Sequence, residues 1–247
     1  MNPPGRSWTA PVAVLLDPAG TVARAIASPD PWRLLLTLAL ASAVVGLGTL
    51  PAQVGMLSAA LPLVGNPLLD AQTETLRGGI LRLIVADRLV PAPAVILGAL
   101  ALMLTADPVL MLPVARRREL LVVAVLGLSP VLVQRIGELA MTWLVDPGRA
   151  VAAGDALTVP HRFAAGARLF WHAAGPAPAW IELLEARVNL FTLWCAGLWG
   201  LGLHALAGRR WEPWQVLLPL GCLGAGGLLS WLLGPLVVPA ILRGIGS

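Results

Sequence analysis

The sequence predicts an all-α, polytopic integral membrane protein: a bundle of five transmembrane helices with short amphipathic helices at the interface. Three observations point there. Of the 247 residues, 57% are hydrophobic and 12% charged, about half the charge of an average soluble domain. The mean hydropathy of +0.81 is more than one water-soluble core of this size can hide, so the surplus apolar surface faces lipid. The apolar residues also gather in runs close to the about 20 residues that a helix needs to cross the hydrocarbon layer.

The segment 1–31 precedes the first run and is assigned to the cytoplasm. Within it, "DPAGTVARAIAS" offers Asp17 as an N-cap and Pro18 at the first helical position. Val22, Ala25 and Ile26 then share one face, as in a short helix lying on the membrane surface. The membrane domain, 32–242, holds five spans. The first, about 33–50, is "RLLLTLALASAVVGLGTL". The second, about 90–114, is interrupted by Asp107-Pro108. The third, about 120–145, carries Gln134, Arg135 and Glu138. The fourth is about 188–207. The fifth, about 214–242, contains Pro219, Pro235 and Pro239, which membrane helices tolerate when neighbouring groups satisfy the freed carbonyls. Residues 243–247 form a short external tail. Between the first two spans, "TETLRGGILRLIVADRL" sets Leu76, Ile80, Leu83 and Ile84 on one side, as in an amphipathic helix on the outer surface. The loop 146–187 carries aromatic residues suited to the headgroup region. No basic region runs directly into a short apolar core at the start, so a cleaved signal peptide is not expected.

Orientation follows from arginine in the short loops. Arg116, Arg117 and Arg118 lie between the second and third spans, and Arg209 and Arg210 between the fourth and fifth. Placing both loops in the cytoplasm puts the N-terminus inside and the C-terminus outside. The two longer loops, balanced between arginine and carboxylate, then fall outside. All 17 basic residues are arginine, with no lysine and no tyrosine. With the abundant Ala, Gly, Leu and Pro, this fits a GC-rich coding bias and a bacterial inner membrane. A pI near 10.8 therefore reflects topology, and no nucleic-acid partner is expected.

The polar residues inside apolar runs are the candidates for chemistry. Arg135 and Glu138 share a helical face: they line an ion or substrate path, form a local ion pair, or mark an interfacial boundary where the span stops early, because an ionised group in a bilayer is costly unless paired or wet. Asp107 is either a proton-carrying carboxylate or a group near the headgroups at a helix break. His204 sits near the Arg209-Arg210 turn in an interfacial or packed role. Asn189 either bonds across helices or caps the fourth span. His161, His172, Cys195 and Cys222 show no metal-ligand spacing, and no cofactor is expected. Cys222, Gly226, Ser230 and Gly234 recur every four residues on the fifth span, and Ala196 and Gly200 repeat the pattern once on the fourth. Such small-residue stripes let two backbones approach, either within a hairpin of these two spans or against another subunit. No nucleotide-binding GxxxxGK[ST], HExxH or GxSxG motif is present, and the absence of lysine excludes a Schiff base.

Three stretches, "LLDPAGTVARAIASPDPWRLLL", "RRRELLVVAVLGLSPVLVQRI" and "VNLFTLWCAGLWGLGLHALAGRRWEPW", together resemble the Yip1 family of five-span membrane proteins. Val22 stands where an aromatic is common there. Asn189 stands where Asp is common, with Phe191 and Trp194 at the matching spacing. The resemblance implies an N-in, C-out bundle without enzymatic activity. In bacteria it implies association with ABC-type exporters, and in eukaryotes with small GTPases and vesicle traffic. The expectation is a non-catalytic scaffold or accessory subunit of an export or envelope-maintenance system, contacting membrane lipids and a membrane protein partner or a second copy of itself. The alternatives are a small transporter or channel using Asp107, Arg135 and Glu138, and a lipid-interacting, membrane-shaping protein.

Overall fold

The computed structural model describes residues 10–89, 93–111, 113, 116–144, 189–208 and 210–244. Among these the regular structure is all helix, with no strand. The helices are α1 (Ala10–Leu16), α2 (Pro18–Ala27), α3 (Pro31–Leu47), α4 (Leu50–Ala60), α5 (Pro67–Leu89), α6 (Pro93–Leu110), α7 (Arg117–Leu126), α8 (Ser129–Leu144), α9 (Leu190–Ala207) and α10 (Trp214–Gly244). Four stretches are long and apolar enough to cross a bilayer: Pro31–Ala60, Arg117–Leu144, Leu190–Ala207 and Trp214–Leu233. Their length and composition point to a membrane location. Within the second expected span, α6 is helical over Pro93–Leu110, about 27 Å, and it gives way to a turn at Met111, ahead of the residue 114 read from sequence. The loop 146–187, with His161 and His172, lies outside the described residues.

The chain divides into two compact units. The first gathers Met1–Ala41, Ala92–Val133 and Ala165–Trp231, and the second Ser42–Pro91, Gln134–Ala164 and Leu232–Ser247. In the first unit, one cluster joins α6, α7, α9 and the start of α10 around Val95, Leu102, Val123, Trp199 and Leu203. A second seats Val14, Val22 and Leu34 against Val122, Leu126 and Leu198. Asp17 caps α2 as the sequence indicates: its Oδ1 accepts from the Gly20 amide at 3.0 Å, and Pro18 opens the helix. The face of Val22, Ala25 and Ile26 is the apolar one, but it rests on α7 and α9. The expected surface helix is thus packed into the bundle.

The expected third span is two helices. Gly127 and Leu128 separate α7 from α8 because Pro130 has no N–H to offer Leu126. The Ser129 hydroxyl donates to the Leu126 carbonyl instead, at 2.7 Å. The Leu128 amide turns to Val125, which leaves the Ala124 carbonyl for another donor. The Nε1–H of Trp199, wholly buried in α9, donates to it at 3.1 Å. A Cβ at Gly127 would fall on this indole, so only glycine fits.

In the second unit, α3 gives way to α4 at Gly48–Thr49, just before Pro51. The Thr49 hydroxyl donates to the Gly46 carbonyl at 2.7 Å, and the apolar run continues well beyond the residue 50 expected from sequence. Trp143 of α8 donates to the exposed Gly48 carbonyl at 3.0 Å. Helix α5 begins earlier than the predicted amphipathic stretch, at Pro67, because the Asn66 side chain accepts from the Leu68 amide at 3.1 Å. Arg77 of α5 donates to the Ser58 and Leu61 carbonyls that end α4. Ile80 and Ile84 are half-buried, while Leu76 is exposed and so does not join them.

Candidate functional site

Charged and aromatic side chains gather where α6, α7, α9 and α10 meet in the first unit. Asp107, one turn from the end of α6, pairs with Arg117 at the start of α7, N···O 3.1 Å. The other carboxylate oxygen, Oδ1, is buried without a hydrogen bond. Arg116 and Glu119 pair at 2.8 Å. The hydrogen bond that Arg116 donates to Glu119 raises the Arg116 pKa above its ordinary value, and burial opposes this only in part. Arg118 and Arg210 are exposed, and Arg209 lies outside the described residues.

His204 stacks on Trp211, ring centroids 4.2 Å apart and nearly parallel. Its Nδ1 lies 3.3 Å from Oε1 of Gln215, which also accepts from the Glu212 amide at 3.3 Å. Gln215 is fully buried, with its Nε2 unpaired. The sequence reading missed Gln215; it stands among exposed apolar positions of α10, and only the fold shows that its side chain ends against His204. Arg116 and Glu212 border a cavity of about 510 Å³ whose lining also includes Leu110, Met111, Leu206 and Trp214.

The second unit holds the other polar constellation. Arg135 and Glu138 pair at 3.0 Å and are only 5% and 2% exposed. Gln134 donates to the other oxygen of Glu138 at 3.0 Å, and its own Oε1 is buried without a partner. Ser42, Thr49, Gln53 and Thr142 are buried as well. These are buried polar groups within helices whose composition is apolar, and Thr49 and Gln53 were missed by sequence because they lie at and beyond the end of the expected first span.

Asn189 is the N-cap of α9. Its side chain accepts from the Thr192 amide at 3.0 Å, and the Thr192 hydroxyl accepts from the Asn189 amide at 2.9 Å. This reciprocal capping box uses the asparagine within its own helix. The small-residue stripe of α10 faces α6. A Cβ at Gly226 would meet the Ala94 carbonyl and the Gly98 backbone, and one at Gly98 would come within 3.2 Å of the Cys222 carbonyl. Thr105 and Cys222 are 3.4 Å apart. Gly200 of α9 does abut α10, but only at its first turn, where a Cβ would lie 2.8 Å from the Gln215 carbonyl. Ala196 is buried in the first cluster, Ser230 is half-buried, and the surroundings of Gly234 lie outside the description. Among the described residues no three His, Cys, Asp or Glu side chains are grouped to hold a metal.

No protein-family model, no curated protein and no solved structure matches this chain.

Proposed function

We propose that this chain is a non-catalytic scaffold or accessory subunit of a bacterial plasma membrane, with its N-terminus in the cytoplasm and its C-terminus outside. One observation carries the reading: the charged side chains within the apolar helices pair with neighbouring side chains, and Asn189 caps its own helix. Asp107 holds Arg117, Glu138 holds Arg135 and Gln134, and Asn189 closes its own helix end. The Yip1 resemblance adds ABC-type exporter subunits as the partner class. Gly226 lies against α6, so partner binding falls to exposed apolar faces such as Leu228, Leu229 and Trp231 of α10. Native co-purification in mild detergent with mass spectrometry tests this. Stoichiometric ATPase, permease or adaptor subunits are the expected outcome, and a partner-free protein from its native membrane overturns it.

The buried polar groups of the second unit favour a second reading, a small transporter acting through Arg135 and Glu138. It requires flux through the protein alone in liposomes and loss of that flux in Glu138→Gln. A folded, reconstituted protein without flux removes it.

A further inference from the structure

The cavity beside α6, of about 510 Å³, falls within the size range of small-molecule sites. Its walls combine two chemistries. Leu110, Met111 and Leu206 are apolar, whereas Arg116 and Glu212 bring opposite charges to the same space. Arg116 is braced, with its Nε and Nη2 both on Oε2 of Glu119, at 2.9 and 2.8 Å. A guanidinium carries five N–H donors, so two bonds leave donors for a further acceptor. Glu212, which is exposed, accepts from the indole N–H of Trp214 on Oε2 at 2.6 Å. A fixed cation and a fixed carboxylate bordering one cavity suit a ligand that carries a phosphate and an ammonium together.

The surroundings say how the rest of that ligand runs. Leu100 and Leu104 lie one turn apart on one face of α6. They are 51% and 78% exposed, and Met111 at the cavity is 87% exposed. From Leu110, which lines the cavity and ends α6, to Leu100 is about 15 Å of helix rise, half of the ~30 Å hydrocarbon layer. That is the depth an acyl chain occupies in one leaflet. Basic pockets between membrane helices are established headgroup sites, but here the carboxylate adds a requirement for a donor-bearing amine, which a choline lacks.

We propose that this cavity binds the headgroup of a phospholipid bearing a primary amine, with phosphate on Arg116, ammonium on Glu212 and an acyl chain along Leu104 and Leu100. The proposal rests on the membrane location and not on the choice between scaffold and transporter.

The test is native mass spectrometry of the full chain in mild detergent. Phosphatidylethanolamine, phosphatidylcholine and phosphatidylglycerol with identical acyl chains are offered in equal amounts. Phosphatidylethanolamine should be retained several-fold above both others. Glu212→Gln should abolish its advantage over phosphatidylcholine, Glu212→Asp should keep part of it, and Arg116→Gln should lower retention of all three. Equal retention of the ethanolamine and choline lipids by the unmodified protein overturns the proposal. So does highest retention of phosphatidylglycerol, which would mark a plain anionic-headgroup site. Soluble phosphoethanolamine at the lipid's concentration should not compete, and equal competition would leave the apolar walls without a role and the proposal with them. The comparison of lipids on the unmodified chain needs no variant, so a substitution that fails to fold leaves the test standing.

Discussion

At the scale of single residues, the fold depends on polar groups that find a partner far along the chain. The indole of Trp199 meets a carbonyl of α7 that the Gly127 break has freed. Trp199→Phe keeps most of the packing but orphans that carbonyl, at a cost of about 1–3 kcal/mol, so thermal unfolding in detergent should come several degrees earlier. Gly127→Ala should be worse, because its Cβ falls on the indole. Gly197→Ala, with open space around it, should be neutral or stabilising by up to about 1 kcal/mol; equal losses in both alanine variants would contradict this account. The Arg135–Glu138 pair makes a second expectation. Glu138→Gln removes the carboxylate that faces the buried Arg135 guanidinium at 3.0 Å and should lower stability, by up to about 3–5 kcal/mol. Replacing both with apolar residues, Arg135→Met with Glu138→Leu, should cost less than either single change. A double variant less stable than both singles would mean that the pair has a role beyond compensating its own burial. The ion pair was legible in sequence because charges three apart on a helix must meet or find water. Trp199 was not, because its acceptor is created by a helix break in another segment, and ten tryptophans in apolar runs look alike until the chain is folded.

At the scale of elements, local signals read well and pairings did not. Asp17-Pro18 marks the start of α2 and Asn189 that of α9, since a cap and its helix are neighbours in sequence. Proline positions foretell trouble in the third span, but not that serine and tryptophan would complete its hydrogen bonding. The four-residue recurrence of Cys222 and Gly226 shows which face of α10 is thin, and nothing in it says which helix lies across. The structure puts α6 there. Gly226→Leu should therefore disrupt folding by driving a side chain into the Ala94 carbonyl and the Gly98 backbone, and size-exclusion chromatography should show aggregated or polydisperse protein. Gly221→Leu, on the open side of the same helix, should elute as the unmodified protein does. A monodisperse Gly226→Leu would remove α6 as the partner of this stripe.

At the scale of the molecule, composition alone conveys the helical class and the membrane location, because lipid imposes both on a chain this apolar. The number of crossings was less legible. Proline divides some apolar runs without ending them, as at Pro51, where the run continues to Ala60, and α6 turns at Met111 before its apolar run is over. The proposed orientation yields its own expectation. Cys195 and Cys222 are buried, so an impermeant maleimide on intact cells should label Glu74→Cys on α5 and leave Arg118→Cys unlabelled until the membrane is permeabilised. Labelling of both on intact cells would place α5 and the triple-arginine turn on one side and discard that orientation.

The bond between Trp199 and Ala124 also dictates an order of events at the ribosome. The donor is 75 residues downstream of its acceptor, which is about 4–15 s of synthesis at usual elongation rates. Throughout that interval the Ala124 carbonyl of α7 lacks the donor it has in the folded chain, and lipid offers none in its place. A chain arrested before α9 emerges should remain in the company of the insertion machinery or a chaperone, and release should follow once the indole arrives.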